Sequence, residues 1–229
     1  MIPQLAARFE TAAQLPGAEY LAKLRYLILP IREADAVPQP LRCKTLLELP
    51  RAAFGTVEPD TMRRLAALEG SGFAGVVANN LAQFGYASPL PVFGGLGLNV
   101  TNPMSAAEYV CLGACGLLVQ PETALTAMRA VAPRQKDGTP VPTAALCYGH
   151  LPLMLTRACP LRNVRTSCAG CTHKGKLRDR KGRDFPVRCS APGSAGMRTV
   201  FNPVPLYMGD RLTAVSYTHL RAHETRSNL

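Results

Sequence analysis

Short, almost wholly apolar runs alternate with one-sided helical patterns along most of the chain. The apolar runs are LRYLIL (24–29, ended by Pro30), TLLEL (45–49), FAGVVA (73–78), GLLV (116–119) and TAALCY (143–148). The Gly-rich stretch PVFGGLGLNV (91–100) reads as extended. Together they predict about six strands buried on both faces, as in a parallel sheet covered by helices. Between them, EPDTMRRLAALEGSG predicts a helix with Pro59 near its start, Met62, Leu65 and Leu68 on one face and Gly70 as its stop. A short helix is expected through Phe84. Ser105-Ala-Ala-Glu108 reads as a capping box opening a helix that ends at Gly113. A further helix is expected from Pro121, with Leu125, Met128 and Val131 on one face. Residues 1–23 read as helical, with Leu5, Phe9, Ala13 and Tyr20 available to pack, and 33–41, carrying Pro38 and Pro40, reads as a loop.

Repeated βα units of this kind predict an α/β fold. The fold class expected is an incomplete (β/α)8 TIM-type barrel, comprising the later strands, followed by a small cysteine-rich, basic cluster-binding segment. The chain has 229 residues, short of a barrel of about 250 residues plus an appendage. Three units are expected: a partial barrel over 1–150, a cysteine-rich segment with a following strand and turn over 151–214, and a tail over 215–229. The tail, VSYTHLRAHETRSNL, resembles the translated read-through of a sequencing adaptor and is expected to stand outside the fold. His219 and His223, followed by Glu224, imitate a helical metal motif and are given no weight.

In barrels of this class chemistry sits at the C-terminal ends of the strands. Here those ends carry Asn79, Asn80, Asn99, Asn102, Gln120, Glu122, Tyr148 and His150. Asn80, Asn99, Asn102 and His150, with Arg157 just beyond, are the candidate substrate-binding residues. The plainer reading of Asn at such positions is a helix or turn cap. No G-x-G-x-x-G follows a strand, so a dinucleotide site is not indicated.

Eight cysteines are present, and four fall within 31 residues: Cys159, Cys168, Cys171 and Cys189, in a C-x8-C-x2-C-x17-C pattern. The other four, Cys43, Cys111, Cys115 and Cys147, lie among apolar residues. Four thiolates with a C-x2-C centre suit tetrahedral zinc or a four-iron iron–sulfur cluster, and spacing alone does not separate them. Reduced cysteines without metal are the plainer alternative. Cys147 with His150 is a poor nucleophile–base pair, because residues three apart on a strand point to opposite faces. No H-E-x-x-H occurs before the tail, nor any recognisable Ser/His/Asp arrangement.

The net charge is +11, and between Arg157 and Arg188 ten Lys/Arg face two Asp. Such a patch suits phosphates, and RNA is the partner it suggests. A solvated basic face beside thiolates is the plainer alternative. Trp is absent and aromatics make up 6%, so no stacking platform for single strands is evident. No apolar run approaches the roughly 20 residues of a membrane span, and MIPQLAARFETAAQ lacks the layout of a signal peptide. The compartment expected is therefore the cytoplasm, where thiols stay reduced, with no membrane partner.

The stretch YGHLPLMLTRACPLRN (148–163), the cysteine spacing, LRDRKGRDFPVRC (177–189) and VFNPVPLYMGDRL (200–212) resemble the collagenase-like peptidase family. VVANNLAQFGYA (76–87) and GLGLNVTNPMSAAEYVCLGACGLLVQPE (95–122) resemble that family's later barrel strands. The resemblance implies a barrel with further sequence before and after this chain. It favours a four-iron cluster on Cys159, Cys168, Cys171 and Cys189 over zinc. It further implies oxygen-independent hydroxylation of RNA or of a small aromatic quinone precursor, with a paralogous protein as a partner in some members. The alternatives it carries are peptide hydrolysis, from which the family takes its name, and an inactive truncated or partner subunit. Family members of this type commonly have Arg where His150 stands, and Asn-Ser where this chain has Asn202–Pro203.

Overall fold

The computed structural model describes residues 4–87, 90–162, 168, 170–190, 196–209 and 219–223, the last as backbone alone. Seven strands are laid down in order: β1 (Gln4–Arg8), β2 (Leu24–Pro30), β3 (Thr45–Glu48), β4 (Gly75–Ala78), β5 (Val92–Gly94), β6 (Ala114–Val119) and β7 (Thr143–Gly149). Each pairs in parallel with the next, giving a curled sheet. These seven strands make the incomplete TIM-type barrel that the apolar runs predict. Short helices cross between them: α1 (Ala18–Ala22), α2 (Gln39–Arg42), α3 (Val57–Ala67), α4 (Ala82–Tyr86), α5 (Pro103–Cys111) and α6 (Leu125–Ala130).

The strand centres are apolar because both faces are covered. Ala6, Ile28, Leu46 and Val77 cluster with Tyr26 and Phe93 on one face of the sheet. On the other, Ala7, Leu27, Leu29, Leu47 and Val76 pack against Phe9, Leu21, Leu65 and Leu68, and Leu117, Val119 and Ala145 pack with Ala106, Met128 and Val131. Adjacent residues of one strand thus serve opposite cores, as a two-residue side-chain period requires.

Several local expectations are corrected. The first segment is not helical: Gln4–Arg8 is strand β1, because Ala6 and Ala7 are each buried, one on either face of the sheet. Residues 33–41 hold a 3-10 helix (Ile31–Ala36) and the start of α2 rather than an unstructured loop. On α3 the buried positions are Thr61 and Leu65, while Met62 is 46% exposed. Helix α5 begins at Pro103, with Asn102 as its cap, so Ser105–Glu108 lies inside it and is not a capping box. Helix α6 begins at Leu125, not at Pro121.

After β7 the chain forms a second, four-stranded antiparallel sheet: β8 (Pro152–Thr156), β9 (Lys174–Arg178), β10 (Asp184–Cys189) and β11 (Arg198–Phe201), in the order β8-β11-β10-β9. The cysteine segment therefore follows β8, not the last barrel strand directly. Strand β12 (Leu206–Tyr207) returns to pair antiparallel with β7. Strand β13 (His219–His223) lies in the gap between β7 and β1, parallel to both. Part of the segment expected outside the fold thus takes the eighth place in the ring. Among the described residues no helix is long and apolar enough to cross a membrane.

Candidate functional site at the barrel mouth

The C-terminal ends of β3 and β4 and the turn after β5 are held together by a buried polar clamp. Asn79, 2% exposed, donates through Nδ2 to the Leu49 carbonyl at 3.0 Å and accepts through Oδ1 from the Gly97 N–H at 3.2 Å. Gln83, fully buried, accepts through Oε1 from the backbone N–H of Asn79 at 2.6 Å and donates to the Pro50 carbonyl at 2.7 Å. The approach is so close that a Cβ on Gly97 would sit 2.1 Å from the Asn79 carbonyl oxygen. Buried polar groups of this kind are kept only when paired.

Above the clamp, between the strand ends and the four-stranded sheet, lies a cavity of about 310 Å3. The barrel contributes Arg8, Glu10, Arg32, Glu48, Leu49, Arg51 and Asn79, with Leu118 and Leu146 as its floor. The sheet contributes Leu155, Arg188, Cys189, Thr199 and Phe201. In register, Arg188 stands opposite Thr199, and Thr199 opposite Leu155. Directly opposed residues share a face, so this row is the sheet's cavity side.

The charges fall into two groups. Arg8 donates through Nε to Glu48 at 2.5 Å and through Nη1 to Glu10 at 2.9 Å. Arg32 also pairs with Glu10. Burial works to lower the Arg8 pKa, but Glu48 and Glu10 outweigh it and hold the guanidinium above its ordinary value. Arg51 and Arg188 have no hydrogen bond or ion pair to their guanidinium groups among the described residues. Burial pushes the Arg51 pKa down, opposed by Glu48 and assisted by Arg8.

The cysteine segment occupies one end of the four-stranded sheet. Antiparallel pairing puts the end of β8 (Thr156), the start of β11 (Arg198), the end of β10 (Cys189) and the start of β9 (Lys174) at that same end. Cys159 follows β8, Cys168 and Cys171 precede β9, and Cys189 closes β10. The C-x2-C pair is a turn: the Cys171 N–H donates to the Cys168 carbonyl at 3.1 Å, and Gly170 has φ +68°. The His173 N–H points at the Cys171 sulfur, 3.4 Å away, and the Cys189 N–H donates to the His173 carbonyl at 2.9 Å. Among the described residues no three His, Cys, Asp or Glu side chains converge on one point. The donor set, the left-handed glycine turn and the N–H aimed at sulfur nonetheless fit a thiolate-bound group.

Between Lys174 and Cys189 the basic stretch forms a hairpin. Its turn is closed by Asp179, whose Oδ1 accepts from the N–H groups of Lys181 and Arg183 at 2.8 Å each. Lys174, Lys176 and Arg178 alternate along β9, all exposed, on the face of the sheet that also carries Arg188, which stands opposite Lys174. Asp184 takes Lys176 at 2.6 Å and Arg178 at 2.7 Å.

None of the five candidate substrate-binding residues lines the main cavity. The Asn80 N–H is held by Gln83 Oε1 at 3.3 Å. Asn99 ends the 3-10 helix Leu96–Leu98 with φ +51° and accepts from Gln120 at 2.6 Å. Asn102 caps α5, accepting from the Ser105 N–H at 2.9 Å. His150 holds the Asn202 carbonyl through Nδ1 at 2.7 Å and borders a smaller cavity of about 160 Å3 with Lys176, Asp184 and Arg188. Arg157 lies 4.7 Å from the centroid of the Phe54 ring, joining the cysteine segment to the barrel rim. Cys147 packs in the core, and burial raises its thiol pKa. Arg8, Glu10, Glu48, Arg51 and Arg188 are the site residues that sequence reasoning missed. The signal was the pair of charges flanking the apolar strand end in LELPR (47–51).

No family model matches the sequence, and no curated protein matches it. Among solved structures, the chain is similar to the U32 peptidase Mk0906, with a TM-score of 0.57 and 12% identity over 98% of this chain and 93% of that one. It also aligns with CitE from Mycobacterium tuberculosis in complex with magnesium and acetate, at a TM-score of 0.37 and 18% identity over 63% of this chain and 74% of that one. The chain shares the fold of the U32 peptidase, the collagenase-like family that the sequence motifs resemble.

Proposed function

We propose that this chain is a redox protein of the collagenase-like, U32 kind. In this reading it holds a four-iron iron–sulfur cluster on Cys159, Cys168, Cys171 and Cys189 and takes part in oxygen-independent hydroxylation of RNA or a small aromatic. The observation that supports it is topological. Strand pairing delivers all four cysteines to one end of a sheet that roofs the barrel-mouth cavity, and Cys189 itself borders that cavity. The bound cluster would supply one-electron redox chemistry there.

The chain's own residues do the rest. The Asn79–Gln83 clamp fixes the ends of β3 and β4 at the cavity wall. Arg8 with Glu48 and Glu10 keeps the rim charges in set positions. The hairpin exposes Lys174, Lys176 and Arg178 on its edge strand, where they suit the phosphates of RNA.

Hydrolysis of peptides is the second reading, favoured by the name of the structural neighbour. The described cavity offers it little. The two carboxylates bordering it, Glu10 and Glu48, are both engaged by arginines, whereas a general base needs a carboxylate tuned toward neutral pH.

The test is anaerobic purification with iron and sulfide analysis, followed by mass spectrometry of RNA and aromatic substrates for a gained oxygen atom. An iron-loaded chain giving oxygenated product supports the reading. Peptide cleavage that persists in Cys168→Ala would replace it with hydrolysis. An iron-loaded chain inert on every substrate would leave it as a partner subunit.

A further inference from the structure

The mouth cavity carries an imbalance that the cysteine segment does not explain. Its lining holds four arginines, Arg8, Arg32, Arg51 and Arg188, against two carboxylates, Glu10 and Glu48. Both carboxylates are taken by Arg8 and Arg32. That leaves Arg51 on the barrel rim and Arg188 on the roof, both half-buried and in no ion pair among the described residues, with Glu48 acting on Arg51 only from beyond ion-pair distance. A partly desolvated guanidinium that makes no ion pair is costly. Strand register fixes Arg188 on the cavity face, in line with Thr199 and Leu155. Most of the remaining wall is apolar, with Ile31, Leu49, Leu118, Leu146, Leu155 and Phe201 beside the polar Asn79, Ser190 and Thr199.

We infer that the cavity binds a small amphiphilic anion, its carboxylate or phosphate head held between Arg51 and Arg188 and its apolar body against the leucine floor. Guanidinium groups suit either head, because their planar fork donates two parallel hydrogen bonds. The head bridges barrel rim and roof, so the ligand draws the cysteine-bearing sheet onto the barrel. The paired Arg8 is not available for this role, because an incoming anion would have to displace Glu48 and Glu10. The inference rests on the reading that this cavity is the working site. It does not depend on iron, and its test reads binding rather than turnover.

The test is calorimetric titration of the full chain with benzoate, phenyl phosphate and benzyl alcohol, which share a ring and differ in the head. Wild type is expected to bind at least one of the two anions, and the alcohol at least about tenfold more weakly, a difference of about 1.4 kcal/mol. Preference for benzoate assigns a carboxylate head, and preference for phenyl phosphate a phosphate head. Arg51→Gln and Arg188→Gln should each weaken the preferred anion by about tenfold or more. If either glutamine variant fails to melt cooperatively, Arg51→Lys and Arg188→Lys carry the test. They keep the charge, lose the fork, and should weaken binding by about threefold or more. Unchanged affinity in the variants, equal binding of benzyl alcohol, or no binding of either anion by wild type would overturn the inference. Each of these results leaves the iron content of the protein untouched and so is distinct from failure of the cluster reading.

Discussion

The backbone N–H of Cys189 donates to the carbonyl oxygen of His173 at 2.9 Å. That single bond ties the end of β10 to the turn that carries Cys168 and Cys171. His173 accepts it in a left-handed conformation, φ +59°, which non-glycine residues adopt only when their surroundings hold them there. Its own N–H meanwhile faces the Cys171 sulfur. Backbone hydrogen bonds therefore link the segments that carry Cys168, Cys171 and Cys189, although no three of their side chains converge among the described residues.

Gly170 tests whether that geometry matters for the bound group. With φ +68° and no atom within 4 Å of where a Cβ would stand, Gly170→Ala adds backbone strain and nothing else. The cost is about 1 kcal/mol, a fall in Tm of roughly 2–4 °C in a chain of this size. Iron retention against a chelator should drop far more than the melting temperature suggests. Retention equal to wild type would show that the turn is not part of the binding site.

Asn79→Ala should be costly although it alters no charge. It strips the Leu49 carbonyl and the Gly97 N–H of their partner in a buried setting. Leaving two such groups unpaired costs about 2–4 kcal/mol, or roughly 5–15 °C in Tm. Thermal melting followed by circular dichroism measures it, and a Tm within a degree or two of wild type would contradict the clamp.

The hairpin has a defined pH response. Hydrogen bonds from Arg178 and Lys176 hold the Asp184 carboxyl below the ordinary carboxylate range. The folded-state pKa is depressed, so the stabilising contribution is fully present above the ordinary value of 3.8 and is lost as pH falls through the lower folded value. Chemical-shift titration of the Asp184 carboxyl should show a midpoint below 3.8. A midpoint at or above the ordinary value would remove the two cations from the account.

Strand β13 gives a direct test of the tail. Its backbone pairs with β1 at Gln4–Arg8 and with β7 at Ala144–Tyr148. A chain ending at residue 214 should leave both edges open and melt earlier and less cooperatively. Unchanged melting would agree with the adaptor-like sequence and make the tail an appendage.

The barrel strands were legible because burial on both faces leaves an unbroken apolar run, as in Leu27–Leu29 and Leu117–Val119. Strand β1 was not. Its QLAAR sequence has the composition of a helix, and only pairing with β2 makes it a strand, a case of tertiary context overriding propensity. The cap of α5 was misplaced for a local reason: Asn102 and Ser105 both suit the position, and Pro103 at the first helical turn decides for Asn102. The four cysteines were visible as a spacing. The cavity charges were not, because Arg8 becomes a site residue only once β1 is a strand ending at the mouth. Arg188 likewise owes its place to the register of β10 against β11, which no local pattern encodes.

The most direct measurement of the central claim is the iron and acid-labile sulfide content of the anaerobically purified full chain. It should be set beside that of Cys159→Ala, Cys168→Ala, Cys171→Ala and Cys189→Ala. The account predicts a brown protein with about four iron per chain, and loss of the colour and most of the iron in each variant. A colourless chain holding one zinc, unchanged by reconstitution with iron and sulfide, would contradict it.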